Sequence, residues 1–256
     1  VLIIVPPSES KRPPLASGRP VVLEELSFPS LLPTRRLVAD ALIRTSADPD
    51  AFERLHVPPT IAPQVVRNIH LFELPAIPVL DLYTGPVHDG LDAASWSAAM
   101  AERAGERLVI VSALWGALRP ADRIPPYRLN VWANLIGIDR LDHTWRAVLP
   151  DVLAEAADDT GVVLDLRSPM DQATGYPTGL GDRTVILKID QGPPGNLLGN
   201  VISKRLRGAA ARYLLESGAD PADPDELVDV LGDRWPVRLS SPERTGKPWT
   251  IRLAID

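Results

Sequence analysis

Val1-Leu-Ile-Ile-Val5 runs directly into Pro6-Pro7-Ser8-Glu9-Ser10-Lys11. An apolar run rich in β-branched residues, with no polar alternation, is the pattern of a strand covered on both faces. Two more stretches repeat it, Leu108-Val-Ile-Val111 and Val162-Val-Leu-Asp-Leu166. Thr184–Ile189 is a fourth candidate, and Ile77–Leu82, Leu197–Ser203, Val237–Leu239 and Thr250–Ala254 are weaker ones. Between them the apolar spacing turns helical, over Leu31–Arg44, Pro63–Phe72, Asp92–Ala104, Thr144–Ala157, Ser203–Ser217 and Asp223–Leu231. Strands alternating with helices predict a mixed α/β fold, a central, mostly buried sheet flanked by helices. No internal repeat occurs. The Pro- and Gly-bearing stretches Pro6–Pro20 and Asp190–Gly199 read as loops, not linkers. The expectation is one domain over residues 1–256, with a helical insertion at about residues 28–75.

Composition narrows the function. The 256 residues contain no cysteine, which excludes a disulfide scaffold, a thiolate nucleophile and a zinc ribbon. With 27 Lys and Arg against 33 Asp and Glu, the net charge is −6, so any nucleic-acid surface must be a local patch. Proline, at 27 residues, is about twice its usual share and stiffens the loops. No apolar stretch reaches bilayer length, and Val1–Val5 reads as a strand and not as a signal peptide. The expected address is the cytoplasm, with no membrane partner.

The three strongest strands each hand over to polar residues. In parallel sheets, ligands bind beyond the carboxyl ends of the strands. Ser8, Glu9, Lys11, Ser112, Arg167 and Ser168 would then share one rim; the alternative is that the strands merely end in turn residues. Downstream, Pro120, Pro125 and Pro126 stiffen a loop carrying Arg119, Tyr127 and Arg128. Its arginines can clamp a carboxylate or phosphate, or equally tie down backbone carbonyls. Ser203-Lys204-Arg205-Leu206-Arg207-Gly208 reads as a helix opening. Cations at a positive helix end oppose the macrodipole, which makes Ser203, Lys204 and Arg207 candidates for holding an anion. Tyr83-Thr84-Gly85 with Pro86–Leu91 reads as a glycine-punctuated turn whose amides either hold a phosphate or only redirect the chain. The four histidines have no metal-ligand spacing, and no P-loop, dinucleotide fingerprint or G-x-S-x-G elbow is present.

These segments carry a resemblance. The N-terminal strand with Pro6–Lys11, Tyr83-Thr84-Gly85, Ser112-Ala113-Leu114-Trp115-Gly116-Ala117-Leu118-Arg119-Pro120, Ile124-Pro125-Pro126-Tyr127-Arg128-Leu129, and Ser203-Lys204 with Arg207-Gly208 resemble the YaaA family of bacterial peroxide-stress proteins. The resemblance spans nearly the whole chain. It implies a helix-hairpin-helix-like element, a positively charged cleft, sequence-independent DNA binding, and action under peroxide stress that limits free iron. It defines no iron ligand and no cofactor. The chain departs from the family pattern at Ser10, where many relatives carry Gly. It departs again after Leu129, where Asn130–Asn134 replaces a Met-Gly pair.

Two functional readings follow. The first is a DNA-binding stress protein with a basic groove of Lys204, Arg205, Arg207, Arg119, Arg123 and Arg128. The second is a small-molecule enzyme on the same scaffold, performing condensation or group transfer, possibly in specialised metabolism. There Lys204, buried and with a lowered pKa, or Glu9 supplies the base or nucleophile, and Arg128 orients an anionic substrate. Both require Glu9, Arg128 and Lys204 to meet around one hollow.

Overall fold

The structure, a computed structural model, describes residues 1–157, 159, 161–190 and 197–254. Its strands are β1 (Leu2–Val5), β2 (Ile77–Pro78), β3 (Leu108–Ser112), β4 (Gly116–Leu118), β5 (Arg123–Ile124), β6 (Val163–Asp165), β7 (Thr184–Asp190), β8 (Val237–Ser240) and β9 (Trp249–Ala254). Its helices are α1 (Leu32–Ser46), α2 (Ala51–Arg54), α3 (Ala62–Ile69), α4 (Val79–Leu82), α5 (Pro86–Leu91), α6 (Ala98–Arg107), α7 (Leu141–Arg146), α8 (Leu149–Ala156), α9 (Leu197–Ser217) and α10 (Pro224–Gly232).

Seven strands form the main sheet in the order β4-β3-β1-β6-β7-β9-β8. The inner five are parallel, and β4 and β8 close the two edges antiparallel. Every residue of β1, β3 and β6 is buried, including Ser112 and Asp165 at the ends of otherwise apolar strands. The chain leaves β1 for β3 on one side and later for β6 on the other. This reversal makes a crevice at the carboxyl end of β1, and the loop that fills it is Pro6–Lys11.

The β3–β4 hairpin explains much of the Ser112–Leu118 string. Ser112 pairs with Gly116, and its hydroxyl accepts the N–H groups of Leu114 and Trp115, both at 3.1 Å. Gly116 has φ +67° and lies against Trp145, where a Cβ would come within 2.5 Å of the indole. Arg35 of α1 is fully buried and donates to the carbonyls of Trp115, Ala117 and Ser27. That ties residues 28–75, the region read as a helical insertion, to the sheet edge.

Several boundaries differ from the sequence reading. Leu197–Ser203 is the first third of α9, not a strand, so Ser203 and its following cations lie well inside the helix. Ile77–Leu82 is strand only at Ile77–Pro78 and then turns helical. Thr144–Ala157 splits into α7 and α8, because Pro150 has no N–H to give and starts a new helix near its N-terminus. Helix α6 begins only after Ser97, whose side chain accepts the Met100 N–H. Most of the Asp190–Gly199 loop lies outside the described residues.

Helices α5 and α9 meet backbone to backbone. A Cβ on Gly208 would stand 1.9 Å from the Val87 carbonyl oxygen, and one on Gly90 2.0 Å from that of Arg205. Only glycine at both positions permits this approach.

Candidate functional site

The loop after β1 is held from both sides. Lys11 bridges Tyr83, the Arg12 N–H donates to Leu82 O (2.9 Å), and the Thr84 N–H donates to Ser10 O (3.0 Å). The Ser8 hydroxyl donates to Thr84 O. Gly85, at φ +138°, leaves no room for a side chain, since its Cβ would lie 2.7 Å from Ser8 Oγ. The short helices α4 and α5 flank this Tyr83–Gly85 turn. Because its Thr84 amide is committed to Ser10, that amide is not exposed to hold a phosphate.

Across the crevice, the Tyr127–Arg128 segment is fixed by Asn68 of α3. Its amide nitrogen donates to Arg128 O (2.9 Å) and to Ser46 Oγ (3.0 Å), and its oxygen accepts the Arg128 N–H (2.8 Å). Between the two walls lies a cavity of about 340 Å³, lined chiefly by Glu9, Lys11, Gln64, Arg67, Tyr127 and Arg128. That volume suits a small ligand.

Lys11 dominates its chemistry. Nζ donates to Ser8 O (2.7 Å) and Glu9 O (3.4 Å), and it lies 4.0 Å from the centre of the Tyr127 ring and 5.3 Å from that of Tyr83. The one nearby carboxylate, Glu9, is turned instead to Arg128, whose Nη2 donates to it at 2.7 Å. Burial, reinforced by the Arg128 charge and only partly opposed by Glu9, lowers the Lys11 ammonium to a pKa of about 7. A lysine that is part neutral at physiological pH can take up or release a proton, or use its lone pair. Burial also lowers the pKa of Arg67.

Beneath Lys11 runs a buried hydroxyl chain. Ser112 Oγ spends its lone pairs on two backbone N–H groups, so its own hydrogen goes to Tyr127 Oη at 2.8 Å. Tyr127 Oη in turn lies 2.7 Å from Tyr83 Oη. Burial raises Tyr127 to about 12 and Tyr83 well above its usual value, so both phenols stay protonated. The His88 ring of α5 packs against Tyr83, centroids 5.1 Å apart and tilted by 55°, and its Nε2 lies 3.3 Å from Pro6 O, which makes it the protonated nitrogen. Burial lowers its pKa to about 4, and its Nδ1 has no hydrogen-bond partner among the described residues.

A second polar cluster sits at the end of β6. Arg167 and Asp165 form a fully buried, two-pronged ion pair, with Nη2 to Oδ2 at 2.7 Å and Nε to Oδ1 at 3.0 Å. Arg167 also reaches Thr174 Oγ1 and Gly175 O. Ser168 Oγ donates to Asp171 Oδ2 at 2.6 Å. Burial raises the Asp171 pKa. Arg207 on α9 is half-buried; burial lowers its pKa, and the charges of Asp165 and Asp171 oppose that fall.

The structure brings some of the expected residues together and separates others. Glu9, Lys11, Tyr127 and Arg128 come together, with Ser8 and Ser112 supporting them. Arg167, Ser168 and Arg207 gather at the neighbouring cluster, and Arg167 is wholly engaged within the protein. Ser203 is buried. Two expectations are overturned. Arg119 does not join Arg128 in a clamp: its guanidinium donates to Glu106 O and Leu108 O, at the opposite end of β3. Lys204 is exposed and absent from the cavity lining, because α9 starts at Leu197 and carries it well past the helix opening. The lysine that lines the cavity is Lys11, which is half-buried. Arg123 is likewise drawn away, to Ala76 O, so the six-cation groove does not assemble as a unit. The sequence reading passed over Gln64, Arg67, Asn68, His88 and Asp171. Gln64 and Arg67 stand three apart on one face of α3, a signal that was available.

The fold and this crevice define a mixed α/β protein with a cationic, tyrosine-floored cavity at its sheet's switch point. A family model described as peroxide stress protein YaaA matches residues 1–237, and the chain belongs to that family. It is 36% identical to a UPF0246 protein of Streptomyces coelicolor, over 100% of this chain and 98% of the relative. It is 32% identical to a UPF0246 protein of Corynebacterium efficiens, over 90% of this chain and 91% of the relative. No described helix is long and apolar enough to cross a membrane, and no group of three His, Cys, Asp or Glu residues among the described residues is arranged for a metal.

Proposed function

We propose that this peroxide-stress protein acts in the cytoplasm on a small anionic molecule, bound in the cavity between Lys11 and Arg128. The observation that carries this reading is the convergence of Lys11, Arg67 and Arg128 on one 340 Å³ hollow whose single lining carboxylate, Glu9, is already paired. Arg67 and Arg128 orient the anion, and Lys11 serves as the acid–base group. Calorimetric titration with small carboxylates and phosphates tests it. Saturable binding that an Arg67→Met/Arg128→Met double variant loses is the expected result. If no anion binds, or if the double variant binds as well as the parent, the reading falls. In cells lacking the protein, the parent chain should restore survival in hydrogen peroxide, and Lys11→Met should not.

A second reading is sequence-independent DNA binding that lessens iron-driven damage. It is favoured by the exposure of Lys204 and Arg205 side by side on α9, where Arg205 lies against Gly90 near the C-terminal end of α5. Non-specific binding is governed by phosphate contacts and falls steeply with salt. A mobility shift at low salt that is lost in a Lys204→Glu/Arg205→Glu variant supports it, and no retardation at low salt removes it.

A further inference from the structure

We propose that Lys11 forms an imine with a small carbonyl compound that carries a carboxylate or phosphate, a substrate class that rests on the small-anion reading of the cavity. The nitrogen's surroundings lead there. Two of its positions are tied to the carbonyls of Ser8 and Glu9, and the Tyr127 ring lies 4.0 Å beneath it. One valence is left for the cavity that Lys11 lines. Arg128 has drawn the Glu9 carboxylate to itself, so no carboxylate among the described residues pairs directly with the amine, and Glu9 only partly favours its charged form. Desolvation and a neighbouring cation are the two devices that activate lysines for carbonyl chemistry, and both act here, consistent with the pKa of about 7.

The step balances without an added reagent. The neutral amine attacks the carbonyl carbon, forming the N–C bond. A proton passes from nitrogen to the former carbonyl oxygen. The resulting hydroxyl takes up a second proton from solvent, the C–O bond breaks, water leaves, and the nitrogen lone pair closes the C=N bond; the remaining N–H proton returns to solvent when the neutral imine forms. Arg67 and Arg128 hold the substrate's anionic group, which places its carbonyl beside Nζ. The imine sits over a floor of protonated phenols.

The probe is glyoxylate with cyanoborohydride, which reduces an imine to a stable secondary amine that peptide mass mapping locates. At pH 7 the expected label falls on Lys11 in at least about tenfold excess over the exposed Lys188, Lys204 and Lys247, reflecting the larger neutral-amine fraction. Lys11→Arg should abolish the excess, while Lys204→Arg should keep it. Glycolate, which has the anion but no carbonyl, is titrated in parallel. Reversible glycolate binding with no preferential Lys11 label overturns the imine and leaves the anion site standing. Neither binding nor labelling overturns both.

Discussion

Replacing Gly208 by Ala tests the account of how the site is braced. Gly208 is a helical residue without a positive φ, so alanine suits its backbone and on propensity alone would gain about 1 kcal/mol. The neighbouring helix reverses the sign. The added Cβ would meet the Val87 carbonyl oxygen at 1.9 Å, whereas carbon and oxygen normally approach to about 3.3 Å. A backbone carbonyl cannot swing away as a side chain can, so α5 and α9 must part by roughly 1.4 Å to restore that separation. Overpacking of this kind costs about 1–3 kcal/mol; against carbonyl backbone that cannot yield we take the upper half of that range, which after the propensity gain leaves a net loss of about 1–2 kcal/mol. Gly105 on α6 is the matched control, with open space around its would-be Cβ. Gly105→Ala should gain up to about 1 kcal/mol. Urea denaturation, read as a shift in midpoint at constant slope, measures both. A Gly208→Ala protein as stable as its parent, or a Gly105→Ala protein equally weakened, would refute the reasoning. Separation of the helices should also reach the cavity, because α5 holds His88 against Pro6.

Asp165→Asn should destabilise the protein by about 3–5 kcal/mol in chemical denaturation, since it leaves the Arg167 charge buried and unpaired; a change below 1 kcal/mol would show that the pair is not buried as described. Tyr127→Phe strands the hydroxyls of Ser112 and Tyr83 and should cost about 1–3 kcal/mol; an unchanged urea midpoint would remove the hydroxyl chain as a structural element. His88 is held neutral down to about pH 4, while the unfolded chain takes up the proton near its usual 6.5. Its contribution is therefore complete above pH 6.5 and is lost as pH falls towards 4. Urea midpoints across that window should decline less in His88→Gln than in the parent, and parallel declines would contradict the assignment.

Much of the sheet could be read directly. β1, β3 and β6 lie fully buried in the middle of a parallel array, and only continuous apolar runs satisfy two covered faces. The edge elements were harder. Ile77–Leu82 is apolar enough for either strand or helix, and tertiary packing decided where one became the other. Leu197–Ser203 misled for the same reason, and that error placed Lys204 at a helix opening it does not occupy. In the site, Glu9 and Arg128 were both candidates, and they meet at 2.7 Å. Lys11 was recognised as a ligand group, but not as the amine whose environment is most altered. Local sequence cannot supply that information: the Tyr83 and Tyr127 rings beside its nitrogen come from remote stretches of chain, and the carboxylate nearest it is turned to Arg128, 119 positions from Glu9. Arg119 was misplaced because β4 runs antiparallel to β3 and delivers its end to the far side of the sheet.

The provenance of the cavity walls has a practical corollary. Residues 9–13, 64–67 and 127–128 line the hollow from three different stretches of chain, residues 83–85 and 112 brace them from two more, and none of these stretches makes it alone. No excised fragment can inherit the pocket. Ligand occupancy should disappear in the same cooperative event that melts the sheet, which makes a bound small anion a sensitive gauge of whether the entire polypeptide has reached its native form.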